Sequence, residues 1–212
     1  MLTDKIFNVA QFADQAVLYL LILLSVVSVG LIIERFLFLR KINQSSERIR
    51  MRIRHALQTN SLEDVEGLSK EMDSVEGRAL ACGLRHFKES GTSGMEEIFN
   101  TFTLSERPEL ERSLNMLATI GSNAPYIGLL GTVLGIMKAF NDLARSSDAG
   151  QQTVMAGISL ALVSTAAGLF VAIPAVISYN YYQKQVKRIL TSLEAAKEIC
   201  IGYAKKKGAA RG

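Results

Sequence analysis

Three stretches free of Asp, Glu, Lys, Arg and His constrain this chain more than anything else in it: Gln15 to Ile33, Ser113 to Met137 and Ala149 to Gln183, of 19, 25 and 35 residues. At about 1.5 Å of rise per residue the shortest already reaches roughly 28 Å as a helix, close to the hydrocarbon thickness of a bilayer. The chain therefore reads as an all-α membrane protein with three transmembrane helices. The third run would extend about 52 Å, more than a bilayer needs, so its helix is expected to continue into the basic tail. Composition agrees: 49% of the 212 residues are hydrophobic although 24 are basic and 20 acidic, so apolar and charged segments are segregated, and a disordered chain is excluded.

Charge sets the expected topology. One Lys precedes the first run (Lys5), 13 basic residues separate the first from the second, two (Lys138, Arg145) separate the second from the third, and eight follow. Arg35, Arg40, Lys41, Arg48, Arg50, Arg52 and Arg54 crowd the end of the first run. By the positive-inside rule the N-terminus lies outside. The expected division is an external segment 1–14, a first span 15–33, a cytoplasmic helical region 34–112, a second span 113–138, a short external turn 139–152, a third span 153–180 and a basic cytoplasmic helix and tail 181–212. The first run is not expected to be a cleaved signal, because its positive charge lies on the wrong flank. Basic residues beside apolar runs speak for membrane topology and against a nucleic-acid partner.

Region 34–112 holds 13 basic and 14 acidic residues with apolar ones at helical spacing, such as Leu57, Leu62, Val65 and Leu68, which reads as amphipathic helices. Gly91-Thr92-Ser93-Gly94 is expected to break two of them, and Pro108 to open the helix leading into the second span. Cys82 and Cys200 match no metal or redox spacing and are expected to be reduced. His55 and His86 are isolated, and no HExxH, P-loop, GxSxG or dinucleotide signature is present. No enzyme, cofactor or metal site is expected.

The first span is bulky and aliphatic, which suits a lipid-facing helix. The second carries Gly121, Ser122, Asn123, Gly128, Gly131, Thr132 and Gly135, with Gly131 to Gly135 a GxxxG; the third carries the four-residue stripes Gly157/Ala161/Thr165 and Ser164/Gly168/Ala172. Small residues at that spacing let membrane helices pack closely. Pro125 and Pro174 each free a carbonyl and can kink their spans. A lone Thr in a membrane helix most often bonds back to the carbonyl one turn earlier, so spacing alone leaves Thr132 and Thr165 open between packing and function. The second and third spans contain no titratable side chain. A protein that moves ions by itself normally shows one, so either none are moved or another chain brings the charge.

The stretch Leu110-Glu-Arg-Ser-Leu-Asn-Met-Leu-Ala-Thr-Ile-Gly-Ser-Asn-Ala-Pro-Tyr-Ile-Gly-Leu-Leu-Gly-Thr-Val-Leu-Gly-Ile-Met137 resembles the signature of the ExbB/TolQ family, distant relatives of the flagellar stator subunit MotA. Gly157 to Asn180, with Ala172-Ile-Pro-Ala-Val and Tyr179-Asn180, is similar to that family's last span. The resemblance implies a bacterial inner-membrane motor subunit, a homopentamer whose second and third spans line a pore. An ExbD/TolR-like dimer of single-span helices would sit inside and supply the membrane Asp, and a TonB/TolA-like protein would carry the output across the periplasm. It also implies that Thr132 and Thr165 face the pore and form part of a proton pathway, with Ser159 and Ser164 as neutral hydroxyls nearby. Pro125, Pro174, Gly128, Gly131, Gly135 and Gly168 take the packing and kink roles.

One position departs from the family pattern. Where many relatives have Gly-Ile-x-Glu-Ala-Leu, this chain has Leu160 in Gly-Ile-Ser-Leu-Ala-Leu, so a carboxylate relay is not available there. Besides the motor, two other functions are consistent with the spans: a scaffold whose small residues only pack helices, and a self-sufficient channel, which the lack of a titratable group disfavours. Within the motor reading the output is open among nutrient uptake, envelope maintenance and motility, and the ion between proton and sodium.

Overall fold

The computed structural model describes residues 2–59, 65–145 and 151–209, and those residues contain helices and connecting turns with no strand. The helices are α1 (Leu2–Thr59), α2 (Val65–Leu68), α3 (Val75–Ser90), α4 (Met95–Glu111), α5 (Leu114–Arg145) and α6 (Gln151–Ala209). Segments of α1, α5 and α6 are long and apolar enough to cross a membrane. The third apolar run does continue as one helix through the basic tail to Ala209. Most of the expected external turn 139–152 is helical, and residues 146–150 fall outside the described residues.

The long helices share a seven-residue rhythm. On α6 the buried positions include Ala161, Gly168, Ala175, Tyr182, Ile189 and Ala196; on α5 they include Gly121, Gly128 and Gly135, then Leu117, Ala124 and Gly131; on α1, Leu21, Ser28 and Arg35. A seven-residue repeat keeps one seam facing its neighbours only when helices wind gently around each other, as in left-handed coiled coils. In this series on α6 the residues are small through Ala175, large at Tyr182 and Ile189, and small again at Ala196.

The chain divides into two compact units. The first comprises Met1–Glu34 and Ser113–Asn180, thus the apolar parts of α1, α5 and α6. Where α5 and α6 meet, its interior is made of small residues such as Gly128, Ala161, Ser164 and Gly168, beside buried Leu21, Leu114 and Leu117, and large side chains such as Phe170, Tyr126 and Ile177 are left exposed on the single chain. That inversion suits helices surrounded by lipid or further membrane helices, where close backbone contact and not the hydrophobic effect drives association.

The second unit comprises Arg35–Arg112 and Tyr181–Gly212. Its core is ordinary for a soluble helical assembly: Leu39, Ile49, Leu68, Leu80, Met95, Phe99, Leu110, Ile189 and Leu193 are all buried. Ser74 caps α3 by accepting the Gly77 amide at 3.0 Å, and Gly91 (φ 73°) closes it through its amide to Phe87 O at 3.0 Å. With Gly94, also at φ 73°, this makes the expected break between α3 and α4. Arg35 is fully buried, donating to Glu109 O at 3.1 Å with its guanidinium 4.7 Å from the Phe38 ring centre. Cys82 and Cys200 are both free thiols, and burial pushes the Cys200 thiol up to about 12.

The expectation for Pro108 needs correcting. It lies inside α4, three residues from the end, and does not open the next helix. The carbonyl it frees belongs to Leu104, which is exposed and so can be hydrated. The break falls at Arg112 and Ser113, where Ser113 takes the left-handed value φ 62°, and α5 starts at Leu114.

Candidate functional site

Glycine brings α5 and α6 into backbone contact at one level. A β-carbon on Gly128 would lie 2.7 Å from Ser164 O and 3.1 Å from Thr165 Cα; one on Gly168 would lie 2.6 Å from Ala124 O. One on Gly131 would meet Ser164 Cβ at 2.7 Å and Val17 Cγ1 of α1 at 2.8 Å. Each position excludes any larger residue, and the side chains one turn along are thereby drawn together.

Those side chains are Thr132 and Thr165. Their hydroxyls hydrogen-bond to each other across the helices. Thr132 Oγ1 also lies 3.2 Å from Gly128 O and 3.3 Å from Ala161 O, while Thr165 Oγ1 lies 3.3 Å from Gly128 O. Each hydroxyl has one proton and two lone pairs, so these contacts cannot all be made together. In one arrangement Thr165 donates to Thr132, which donates to a carbonyl, and the lone pairs of Thr165 stay open. In the other, Thr132 donates to Thr165, which donates to Gly128 O, and Thr132 keeps the open pairs. The two orientations have similar geometry and leave open lone pairs on either Thr165 or Thr132.

The surroundings are apolar. Thr132 is 9% exposed and Thr165 half-buried, and the spans around them carry no formal charge. Ser164 is fully buried beneath Gly131, and its Oγ has no hydrogen-bond partner among the described residues. In a medium without water that hydroxyl is an unmet donor beside the pair. Ser159 does not join them: it is exposed and makes no hydrogen bond to the cluster, and the neighbouring Leu160 is 57% exposed. Gly135 is buried on α5. Pro125 is half-buried within α5 and Pro174 exposed within α6, and both helices remain α-helical through them.

Sequence reasoning missed some participants. The Ala161 carbonyl is a backbone acceptor with no sequence signature. Ser28 of α1 is likewise buried without a hydrogen-bond partner among the described residues; with Tyr19 and Ser25 in the same run, its polarity alone does not mark it.

Known proteins are similar to this chain over most of its length. The MotA/TolQ/ExbB proton channel family matches over residues 71–195. This chain belongs to that family. The Tol-Pal system protein TolQ of Haemophilus influenzae is 35% identical over 196 residues, covering 87% of this chain and 85% of that protein. TolQ of Pseudomonas aeruginosa is 32% identical over 191 residues, 85% and 83% of the two chains. The biopolymer transport protein ExbB of Neisseria meningitidis serogroup A is 30% identical over 192 residues, 84% and 86%. Membership of the MotA/TolQ/ExbB family and three helices able to span a membrane make this a multi-pass protein of the bacterial inner membrane.

Proposed function

We propose that this chain is the ring-forming channel subunit of a motor driven by the proton-motive force. In that ring five copies would surround an ExbD/TolR-like pair of single-span helices, and a TonB/TolA-like protein would convey the output toward the outer membrane. The N-terminus lies outside in this reading, with 34–112 and 181–212 in the cytoplasm, as the basic residues at the span ends favour. The names of the relatives, TolQ and ExbB, favour Tol-Pal or biopolymer-transport energisation over motility. No residue is assigned a catalytic role.

The observation that carries the proposal is the Thr132–Thr165 hydroxyl pair in a charge-free pair of spans. A carboxylate entering an apolar pore is held near neutrality by desolvation and changes its preferred neighbours when it takes or loses a proton. The hydroxyl pair can accept from the protonated acid or, after reorientation, donate to the carboxylate, without adding a charge of its own. Five equivalent pairs around two acids cannot satisfy both acids alike, which favours stepwise rotation. One charge crossing 100 mV releases about 2.3 kcal/mol, enough to bias a step. Leu160 leaves no carboxylate in the chain at that level, so proton exit depends on hydroxyls, water or the partner.

The test is proton flux in liposomes containing both chains, with native mass spectrometry for stoichiometry. Flux from the pair, none from this chain alone, and loss in Thr132→Val/Thr165→Val is the expected set. A scaffold that only packs helices predicts that the valine variant works normally, and that result would discard the motor reading.

A further inference from the structure

We infer that the second unit holds a binding site for the phosphate-bearing headgroup of an anionic phospholipid, between the parts of α1 and α6 that follow the apolar runs. A cavity of about 400 Å³ opens there. Arg40 and Arg188 line it from the two helices, both exposed, and neither has an ion pair or hydrogen bond among the described residues. Phe36 and Tyr181 form its aromatic side, with the Arg40 guanidinium 5.9 Å from the Phe36 ring centre. Its polar wall is prearranged: Asn43 Nδ2 donates to Gln185 Oε1 at 3.0 Å, and Arg50 Nη2 donates to Asn43 Oδ1 at 2.8 Å. A second cavity of about 740 Å³ shares Arg50, Arg188 and Glu47 with the first and adds Arg54, Lys184 and Lys187. Glu47 is the acidic residue in either lining.

Chain distance places these cations at headgroup depth. Arg40 follows the last apolar-run residue, Ile33, by seven positions, and Arg188 follows Asn180 by eight, about 10–12 Å of helix. Helical side chains lean toward the N-terminus, which for both helices is the direction of the apolar run, and arginines snorkel to the interface. The headgroup layer adds several ångströms on each side of the hydrocarbon. Aromatic residues belong at the same boundary, and basic pockets between helices there take anionic headgroups. Arginine matches a phosphate with paired donors, which a stray surface lysine does not.

The inference rests on the span ends used in the proposed topology but not on the motor. The test uses the full chain in symmetric nanodiscs of phosphatidylcholine with a minor share of phosphatidylglycerol, so it is blind to orientation and to proton flow. Native mass spectrometry counts the lipids retained on release. Wild type should retain phosphatidylglycerol preferentially, and Arg40→Gln/Arg188→Gln should lower that retention roughly tenfold. Arg40→Lys/Arg188→Lys should keep part of it, with each single glutamine variant intermediate, so a fold defect is separated from a lost site by the graded series. Lys205→Gln/Lys206→Gln, at the far end of α6, should change nothing. Equal retention of the two lipids, unchanged retention in the double glutamine variant, or loss in the distal lysine variant overturns the inference. Inorganic phosphate should not displace the lipid; if it does, the cavity is a soluble-phosphate site and the lipid assignment fails.

Discussion

Gly128 and Gly168 face each other so closely that a β-carbon on the first would lie 3.1 Å from the Cα of the second, and one on the second 3.0 Å from the Cα of the first. Because the obstacle is backbone on both sides, neither helix can yield by turning a side chain. Gly128→Val is expected to separate α5 from α6 and cost about 1–3 kcal/mol, as overpacking typically does. Gly30→Ala, where a β-carbon meets nothing within 4 Å, is the matched control and should be silent. Thermal melting of the detergent-solubilised protein, followed by circular dichroism, checks both.

Separating the glycines also moves the hydroxyls they hold together, so the threonines need variants that keep the shape. Thr132→Val/Thr165→Val should leave the melting temperature nearly unchanged, since interhelical hydrogen bonds in membranes are worth about 0.6 kcal/mol on average. Motor output should fall at least about tenfold. The proposed relay requires the two single variants each to lose almost as much as the double. Thr165→Ser restores the hydroxyl and should recover output. Additive losses in a flux assay would contradict the relay.

Arg50 and Glu76 form a second dependency. Glu76 is fully buried, its carboxylate has no hydrogen-bond partner among the described residues, and Arg50 Nε stands 3.6 Å away. Arg50→Met should destabilise by about 3–5 kcal/mol because it strands a buried charge, whereas Arg50→Met/Glu76→Leu should recover most of that. Chemical denaturation of the three variants in one detergent measures the coupling.

The end of α6 is tied to α2 by an exposed cluster. Lys207 Nζ lies 2.7 Å from Glu66 Oε1, and the Tyr203 hydroxyl donates to the same oxygen at 2.5 Å. Hydrogen bonding to Lys207 and then to Tyr203 holds the Glu66 carboxyl down at about 2, below its usual 4.5. A depressed carboxyl stabilises above its unfolded value and loses that contribution as pH falls through its folded value. Protection of the last turns of α6 should therefore decline as pH drops from 4.5 toward about 2. Lys207, raised chiefly by its hydrogen bond to Glu66, contributes fully below its usual 10.5 and loses it as pH climbs past its folded value. Glu66→Gln should flatten the acid limb, read by limited proteolysis of the C-terminal tail across pH.

Fold class and the small-residue contacts were legible early. Charge-free runs dictate spanning helices, and four-residue spacing of Gly, Ala, Ser and Thr dictates which faces meet. Pro108 misled because an exposed carbonyl near a helix end tolerates the lost amide, so the break fell instead at Ser113, a residue with no turn preference strong enough to announce it. Ser159 and Ser164 looked equivalent in sequence, yet one is exposed and the other is sealed beneath Gly131.

The amino-acid order alone determined that this chain crosses a membrane, which ends carry the positive charge and that no acid lies in its second and third spans, because these follow from where charges sit along one dimension. Only tertiary structure decided that Thr132 and Thr165 share a hydrogen bond, that Ala161 supplies an acceptor and that Arg40 and Arg188 flank one cavity. Those are meetings of residues far apart in the chain, set by how closely helix backbones can approach and at what register. Spacing within one helix cannot encode them.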